Sequence, residues 1–492
     1  MKKGIGLAGV ACLVGMLLQA QACGAAETRY EAKWDSLDKR PTPQWWVDAK
    51  FGIFIHWGVY AVPAWSVRGE YSEWYWNRIT GDKAKNGPWW QYHAKTYGKD
   101  FPYAEFAPRF KAELYDPNQW AETFLRSGAK YVVLTSKHHD GYCMWPSQEA
   151  NKSWGRPWNS VDIGPGRDLL GDLTTAVRAK GIHMGIYYSL YEWYNPLWAT
   201  DRTLYVEKHM FPQFKDVVTR YKPEVIFSDG EWDMPSKDWR SEELLAWLVN
   251  ESPVKDSVVI NDRWGKDSRH KHGGYYTTEY TAGLASGTHP WEESRGMGHS
   301  YGYSRTEPLS DYRSAREMVL MLIDIVSRGG NLLLDIGPAA DGTIPVIMEE
   351  RLTQIGDWLK VNGEAIYGTR NWKKPIQWTE GKQPGVDYGK EYMTKYDIAE
   401  LTGKPTGDKA VIEAFFTTKD GNLYVITPRW PGEKLVVKDI EISPNTAVTM
   451  LGVAQPIRWD RSGSDLTIRV PALSVDEAPC QYAYVFKITG VK

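Results

Sequence analysis

The sequence predicts an α/β fold: a (β/α)8-like barrel of the TIM type, followed by a C-terminal antiparallel β-sandwich. Between residues 50 and 367, short apolar β-type runs alternate with amphipathic helical stretches, a pattern typical of parallel α/β domains. After residue 371 the helical periodicity stops, and β-rich runs are separated by Gly, Pro, Asn and Asp, as in a sandwich. We therefore expect a barrel domain over residues 27–370 and a sandwich over residues 371–492.

The barrel prediction depends on runs whose interiors are largely apolar, as expected for strands covered on both faces. The predicted strands are 52–57, 131–136, 183–189, 225–228, 258–261 and 331–336. The predicted helices are 118–127, 169–180, 204–221, 242–250, 315–327 and 349–361. In the second domain the predicted strands are 410–416, 423–427, 446–451, 466–470 and 483–488.

The first 26 residues have the order of a secretory signal. Two lysines precede an apolar run over residues 5–18, and small residues continue to residue 26; the run is too short for a comfortable membrane span. We expect a secreted or periplasmic protein, with lipid anchoring through Cys23 as the alternative. No other stretch is long and apolar enough to cross a bilayer.

Composition excludes some classes of function. The 59 Lys+Arg and 61 Asp+Glu residues nearly balance, so there is no basic excess of the kind that nucleic-acid binding needs. Cys12 and Cys23 fall in the predicted signal, while Cys143 and Cys480 lie far apart without zinc-type spacing, so neither a zinc site nor a disulfide framework is implied. The 25 Trp and 29 Tyr suit a cleft that binds the C–H faces of sugars, although aromatic residues also fill large cores. Oligomeric state is left open.

Polar and aromatic clusters follow nearly every predicted strand. They are 56–58, 137–141, 187–193, 228–232 and 261–264. In a (β/α) barrel the carboxyl ends of the strands converge on one rim, where active sites lie. A doubly wound sheet would also bind ligands there, but no glycine-rich phosphate loop opens a helix. A nucleotide enzyme is therefore disfavoured, and we expect no cofactor.

His138 and His139 raise the question of a metal. Adjacent strand residues point to opposite sides, and no His-x-x-x-His helix or carboxylate triad accompanies them. We expect the pair to hydrogen-bond a substrate and expect no metal site; structural histidines and a metal-dependent hydrolase are the alternatives.

Acidic residues at one strand end point to glycosyl transfer. Asp229 directly follows an apolar run, and a pair of carboxyl groups amid aromatic residues can supply a nucleophile or base and an acid. The second carboxyl group is expected from another loop, with Glu279, Glu292 and Glu293 as candidates. Trp291 would make the surroundings of Glu292 partly apolar, which suits a general acid, but spacing alone does not choose among the three.

At these motifs the sequence resembles the α-L-fucosidases of glycoside hydrolase family 29, in the broad-specificity, lysosomal-type branch. The resemblance runs from about residue 45 to the C-terminus, and its motifs are 51–58, 72–75, 136–141, 228–232, 261–265 and 330–337. It implies a retaining double displacement acting on fucosylated glycans, with Asp229 as nucleophile and Glu292, in its Trp-Glu context, as acid/base. It also implies that the fucose is bound by His56, Glu73, Trp74, His138, His139, Tyr187 (rather than Tyr188), Phe227, Arg263 and Trp291.

Two departures from the family pattern stand out. Phe227 occupies a position where many members carry Trp. The adjacent Glu292 and Glu293 leave open which of the two glutamates is the acid/base. The alternatives are a retaining glycosidase for another 6-deoxy or galacto-configured sugar, and a carbohydrate-binding protein without catalysis. The acid at position 229 favours an enzyme.

Overall fold

The computed structural model describes residues 28–491, except 286, 288 and 390–395. The predicted signal segment, with Cys12 and Cys23, lies outside the described residues. Cys143 and Cys480 are both free thiols. Within the described residues, no helix combines the length and apolar character needed to cross a bilayer.

Eight parallel strands form one curled, TIM-like sheet in the order β5-β4-β3-β2-β1-β8-β7-β6. The strands are β1 Phe51–Ile55, β2 Tyr131–Lys137, β3 His183–Ser189, β4 Val225–Asp229, β5 Val259–Ile260, β6 Tyr276–Glu279, β7 Trp291–Gly296 and β8 Asn331–Ile336. Backbone amides of Gly274 and Tyr275 donate to the carbonyl of Ile260, which connects β5 to the segment entering β6. The predicted fold class is confirmed.

Helices pack against the outside of this sheet, and the described residues form fifteen α-helices in all. They are α1 Trp34–Leu37, α2 Gln44–Ala49, α3 Tyr75–Thr80, α4 Gly87–Thr96, α5 Pro117–Ser127, α6 Gln148–Trp154, α7 Leu169–Ala179, α8 Pro196–Thr200, α9 Arg202–Tyr205, α10 Phe211–Tyr221, α11 Ser236–Trp239, α12 Ser241–Asn250, α13 Ala315–Ser327, α14 Val346–Asn362 and α15 Ile398–Leu401. The described parts of the β5–β6 and β6–β7 connections contain no helix. In that respect the barrel departs from a regular (β/α)8 arrangement.

The barrel interior is filled by every second strand residue. Phe54, Val133, Val225 and Leu333 belong to one buried apolar cluster, and their strand neighbours point outward into the larger helix–sheet core. Strand β7 is the exception in composition: its sequence is Trp-Glu-Glu-Ser-Arg-Gly, yet all six residues are buried. Because β6 and β7 are polar, the apolar-run criterion did not predict them.

The second domain contains a five-stranded antiparallel sheet, β13-β16-β11-β10-β9, and a three-stranded sheet, β12-β15-β14. The strands are β9 Arg370–Trp378, β10 Ile412–Lys419, β11 Asn422–Thr427, β12 Lys434–Val437, β13 Val448–Met450, β14 Trp459–Ser462, β15 Asp465–Arg469 and β16 Tyr484–Ile488. The two sheets share one apolar core, in which Phe416, Val437 and Ile468 pack together.

Candidate active site

A cavity of about 330 Å³ opens at the carboxyl end of the barrel, within the size range of small-ligand sites. Eight of the nine predicted substrate-binding residues and the predicted nucleophile line it. The lining residues are Phe54, His56, Tyr71, Glu73, Trp74, Arg78, His138, His139, Tyr187, Phe227, Asp229, Trp232, Arg263, Arg269, Glu279, Ser294 and Tyr301.

Asp229 is the last residue of β4, and the chain turns directly after it. Gly230 adopts φ 76°, and a Cβ atom there would lie 2.3 Å from the ring of Tyr191. A residue with a side chain would therefore be both strained and clashing at this position. The turn ends the strand at the cavity wall and leaves the Asp229 side chain 11 % exposed.

Neighbouring donors hold Asp229 as a carboxylate. The Tyr187 hydroxyl donates to Oδ2 at 2.8 Å, Arg263 Nη1 donates to Oδ1 at 2.8 Å, and His139 Nε2 lies 3.5 Å from Oδ2. Burial alone would raise the pKa of Asp229, but Arg263, His139 and Arg269 together outweigh burial and lower it to about 2. Asp229 is thus ionised at neutral pH, as a nucleophile must be.

One guanidinium group connects two carboxylates in the cavity. Arg263 donates through Nη1 to Asp229 and through Nη2 to Glu279 Oε2 at 3.1 Å. Its Nε is fixed by Thr277 Oγ1 at 3.0 Å. Glu279 ends β6 and also accepts a hydrogen bond from the Tyr71 hydroxyl at 3.0 Å. Asp229 and Glu279 are therefore neighbours across the pocket, although they come from strands on different sides of β5.

Glu73 is a third cavity carboxyl group, in a different setting. Its Oε2 accepts from the Gly302 amide at 2.9 Å and from Ser300 Oγ at 3.3 Å. The side chain is buried, and burial raises the pKa of Glu73 to about 7. Near neutral pH this group can therefore donate a proton in a hydrogen bond to a ligand or accept one.

Three histidines line the cavity in neutral form. Burial lowers the pKa of His56 to about 3, lowers that of His139 to about 4, and moves that of His138 well below its usual value. His56 Nδ1 lies 2.6 Å from Asp335 Oδ1, and burial raises the pKa of Asp335, so the two share a hydrogen bond rather than opposite charges. His139 Nδ1 bonds Ser189 Oγ at 2.7 Å. Neutral imidazoles suit hydrogen bonds to sugar hydroxyls.

Aromatic rings complete the walls of the cavity. Tyr187 and Phe227 are stacked, with centroids 6.0 Å apart, and the Arg263 guanidinium lies 4.9 Å from the Phe227 ring. Trp74 also lines the cavity, with its ring 5.5 Å from the His139 ring. Apolar faces next to neutral polar groups are the surfaces that a pyranose ring contacts.

A buried ion pair supports the two adjacent histidines from behind. Lys137, the residue before His138, donates to Glu192 at 2.9 Å, and both side chains are fully buried. Glu192 also bonds His209 at 2.6 Å and the Trp154 indole at 2.8 Å. The pair joins the carboxyl ends of β2 and β3 beneath the cavity. Sequence reasoning did not identify this unit, because no local pattern connects its members.

Glu292, the predicted acid/base, does not line the cavity. Glu292 lies within β7 rather than in a loop, opposite Thr277 in the register, whereas cavity-lining Ser294 lies opposite Glu279. Two residues along a parallel strand correspond to about 6.6 Å, so Glu292 lies one layer below the cavity. There it is fully buried and accepts a hydrogen bond from Tyr131. Burial raises its pKa to about 8.

The other predicted members of this segment are also outside the cavity. Trp291 is buried, and the guanidinium group of Arg328 lies 5.2 Å from the centroid of the Trp291 ring. Glu293 points away from Glu292 and accepts a hydrogen bond from the Thr281 amide at 2.8 Å. Of the three glutamates that the sequence left open, Glu279 is the one that lines the cavity.

Several lining residues were not singled out by sequence reasoning. Tyr71 immediately precedes the Ser72-Glu73-Trp74 motif, and that position was an available signal. Arg269 and Tyr301 lie in turns without a distinguishing pattern, and only the fold places them here. Within the described residues, no group of three or more His, Cys, Asp or Glu side chains is arranged to hold a metal ion.

A TIM-like barrel with an ionised aspartate and a second carboxylate in an aromatic pocket at its carboxyl end defines a carbohydrate-processing enzyme. Comparison with known proteins agrees. Residues 17–364 match the alpha-L-fucosidase family and residues 407–489 match the alpha-L-fucosidase C-terminal domain. The chain belongs to the alpha-L-fucosidase family of glycoside hydrolases.

Individual relatives match over nearly their whole length. An alpha-L-fucosidase of Branchiostoma floridae is 42% identical, over 97% of this chain and 100% of the relative. The tissue alpha-L-fucosidase of Homo sapiens is 39% identical, over 97% of both chains. Among solved structures, a Thermotoga maritima alpha-fucosidase in complex with a mechanism-based inhibitor aligns with a TM-score of 0.76 and 35% identity. That alignment covers 94% of this chain and 100% of the other.

Proposed function

We propose that the cavity hydrolyses terminal α-L-fucosyl residues of glycans with retention, using Asp229 as nucleophile and Glu279 as acid/base. The observation that carries the assignment is the shared guanidinium group of Arg263, which binds both carboxylates. Retaining glycosidases need their two carboxyl groups about 5–5.5 Å apart. Two carboxylates that bind the terminal nitrogens of one arginine are close neighbours, in agreement with that requirement.

In the first step Asp229 attacks C1 of the fucose while Glu279 protonates the departing oxygen. The product is a covalent fucosyl ester of Asp229 and a free aglycone alcohol. In the second step Glu279 takes a proton from water, and the resulting hydroxide attacks C1 and releases Asp229. Arg263 contacts the carboxyl groups of both Asp229 and Glu279, so its guanidinium group stays next to the reacting pair in both steps.

The remaining predicted residues position the sugar. His56, His138 and His139 provide neutral hydrogen-bonding groups, and Glu73 can donate or accept a hydrogen bond near neutral pH. Trp74 and Phe227 provide apolar walls. Tyr187 holds Oδ2 of Asp229. Of the substrate-binding residues that the resemblance implied, this proposal omits Trp291, because it does not line the cavity.

The decisive experiment measures hydrolysis of an aryl α-L-fucoside by the wild-type enzyme and by Asp229→Gly. We expect the variant to lose activity by a factor on the order of 10⁴ or more. Added azide should restore turnover by entering the space of the missing carboxylate and should yield β-L-fucosyl azide. Asp233→Gly is the matched control, because Asp233 follows in the same segment but does not line the cavity. Full activity of Asp229→Gly, or loss without azide rescue, would contradict the nucleophile assignment.

We also propose that residues 1–26 export the protein to a secreted or periplasmic location, where fucosylated glycoconjugates are its substrates. The charged, apolar and small-residue order of the segment supports this. Mass spectrometry of the mature N-terminus distinguishes simple cleavage from lipidation of Cys23. An uncleaved, unmodified N-terminus would refute export by this segment.

A further inference from the structure

Trp232 is unusual among the aromatic residues of the cavity because it is exposed. Its relative exposure is 37 %, whereas Phe54, Tyr187 and Phe227 are at most 2 % exposed. Among the exposed large apolar side chains of the described residues, Trp232 is the one that lines the cavity. A ligand that covers an exposed indole removes apolar surface from water, and this favours binding.

The indole of Trp232 is held in place from one side. It stacks on Trp74, with ring centroids 6.3 Å apart and planes inclined by 21°, and it meets His139 and Tyr191 edge-on at 5.4 and 5.6 Å. A ring supported in this way loses little conformational entropy when a ligand covers its open face. The support therefore makes Trp232 a preformed platform at the cavity wall.

The same turn positions a polar partner next to this platform. Glu231, the residue before Trp232, accepts from Arg269 Nε at 2.6 Å. This contact orients a cavity-lining guanidinium group whose Nη2 lies 4.0 Å from Asp229 Oδ1, a distance too long for a hydrogen bond. The turn after Asp229 thus carries an apolar platform and anchors a hydrogen-bond donor.

We propose that Trp232 and Arg269 form the subsite for the first sugar of the aglycone, the pyranose ring to which the fucose is linked. The C–H face of that ring covers the indole, and Arg269 donates to one of its hydroxyl groups. This inference rests on the proposed function, because the fucose must occupy the pocket beside Asp229.

The electrostatics of the cavity favour a neutral sugar at this subsite. Each of the three cavity-lining arginines already faces a carboxylate, so no cationic charge is left unbalanced for an anionic aglycone. The pairs are Arg78 with Glu70, Arg263 with Asp229 and Glu279, and Arg269 with Glu231. Galactose and N-acetylglucosamine have the required chemistry.

The test compares two kinds of substrate. α-L-Fucosyl fluoride has a single-atom leaving group that cannot reach an aglycone platform, whereas disaccharides with fucose α-linked to galactose or to N-acetylglucosamine place a ring there. We expect Trp232→Ala to lower kcat/KM for at least one disaccharide about tenfold or more, the scale of losing one well-covered apolar contact. The effect on the fluoride should stay below about twofold, which also shows that the variant is folded.

Two further variants sharpen the result. Trp430→Ala is the matched control, since Trp430 is equally exposed at 37 % but lies in the second domain; neither substrate should respond. Arg269→Lys keeps a positive charge near Asp229 but loses the planar set of donors, so kcat/KM should fall more for the disaccharides than for the fluoride. Equal losses on fluoride and disaccharides, or no loss on either, would overturn the subsite. A wild-type enzyme that cleaves neither substrate would instead overturn the proposed function.

Discussion

Asp229 and Glu292 are both buried carboxyl groups in the barrel interior, but their surroundings differ. Asp229 lies at the carboxyl end of β4, where Arg263, His139 and Arg269 outweigh burial and lower its pKa to about 2. Glu292 lies one layer deeper in β7 beside Tyr131, where burial raises its pKa to about 8. A raised pKa is what a general acid needs, yet a proton that cannot reach the cavity cannot protonate a leaving group. A carboxyl group must first lie within reach of the leaving group before its pKa can make it a general acid.

The largest effect expected from this comparison concerns the acid. Glu279→Gln should lower kcat/KM about 10²–10⁴-fold for fucosides with poor leaving groups, which need protonation, and far less for activated aryl fucosides. Glu292→Gln should show no such dependence on the leaving group. Kinetics across a series of aglycone pKa values measure this.

Two controls complete the experiment. Glu293→Gln should behave as Glu292→Gln does, since neither side chain lines the cavity. If Glu73→Gln, rather than Glu279→Gln, gave the leaving-group dependence, then Glu73 would be the acid and the assignment of Glu279 would be wrong.

A smaller effect is expected from Arg263→Lys. A lysine ammonium is a point charge that cannot bridge two carboxylates as the guanidinium does. Loss of one charge-assisted hydrogen bond, about 1.5–3 kcal/mol, predicts a decrease in kcat/KM of roughly 10- to 150-fold. Arg202→Lys is the control, because Arg202 is half-exposed and pairs with Asp233 on the surface. Near wild-type activity of Arg263→Lys would show that the bridge is dispensable.

The smallest effect concerns stability at Glu292. Its folded-state pKa of about 8 exceeds the unfolded value of about 4.3, so the folded state binds a proton that the unfolded state has lost. This contribution is fully present below about pH 4 and is lost as pH rises towards 8. Glu292→Gln stays neutral at every pH and avoids that loss.

We therefore expect the Tm of Glu292→Gln, relative to the wild type, to be higher at pH 8 than at pH 5 by roughly 2 °C or more. Thermal unfolding of both proteins at the two pH values measures it. A Tm difference that is the same at both pH values would show that Glu292 is not a neutral buried acid.

The same contrast explains what the sequence could predict. Strands β1 to β5 and β8 were predicted because apolar runs are typical of strands covered on both faces. Asp229 was found because it directly follows such a run. Strands β6 and β7 were missed because their buried polar groups are paired with residues distant in sequence: Tyr131 and Glu292 are 161 positions apart. Local patterns contain no information about such partners, and for that reason the sequence could not show that Glu292 lies below the cavity.

The buried pair of Lys137 and Glu192 has a consequence for how this site can change. Replacing Glu192 would remove the carboxylate partner of the buried Lys137 ammonium, and replacing Lys137 would leave Glu192 with His209 as its remaining ionisable partner. Loss of one partner of a buried ion pair costs on the order of 3–5 kcal/mol. Because Lys137 directly precedes His138 and His139, breaking the pair would also disturb the positions of these two histidines in the cavity wall. Positions 137 and 192 are therefore expected to change together during evolution, because a single substitution at either position would destabilise the protein.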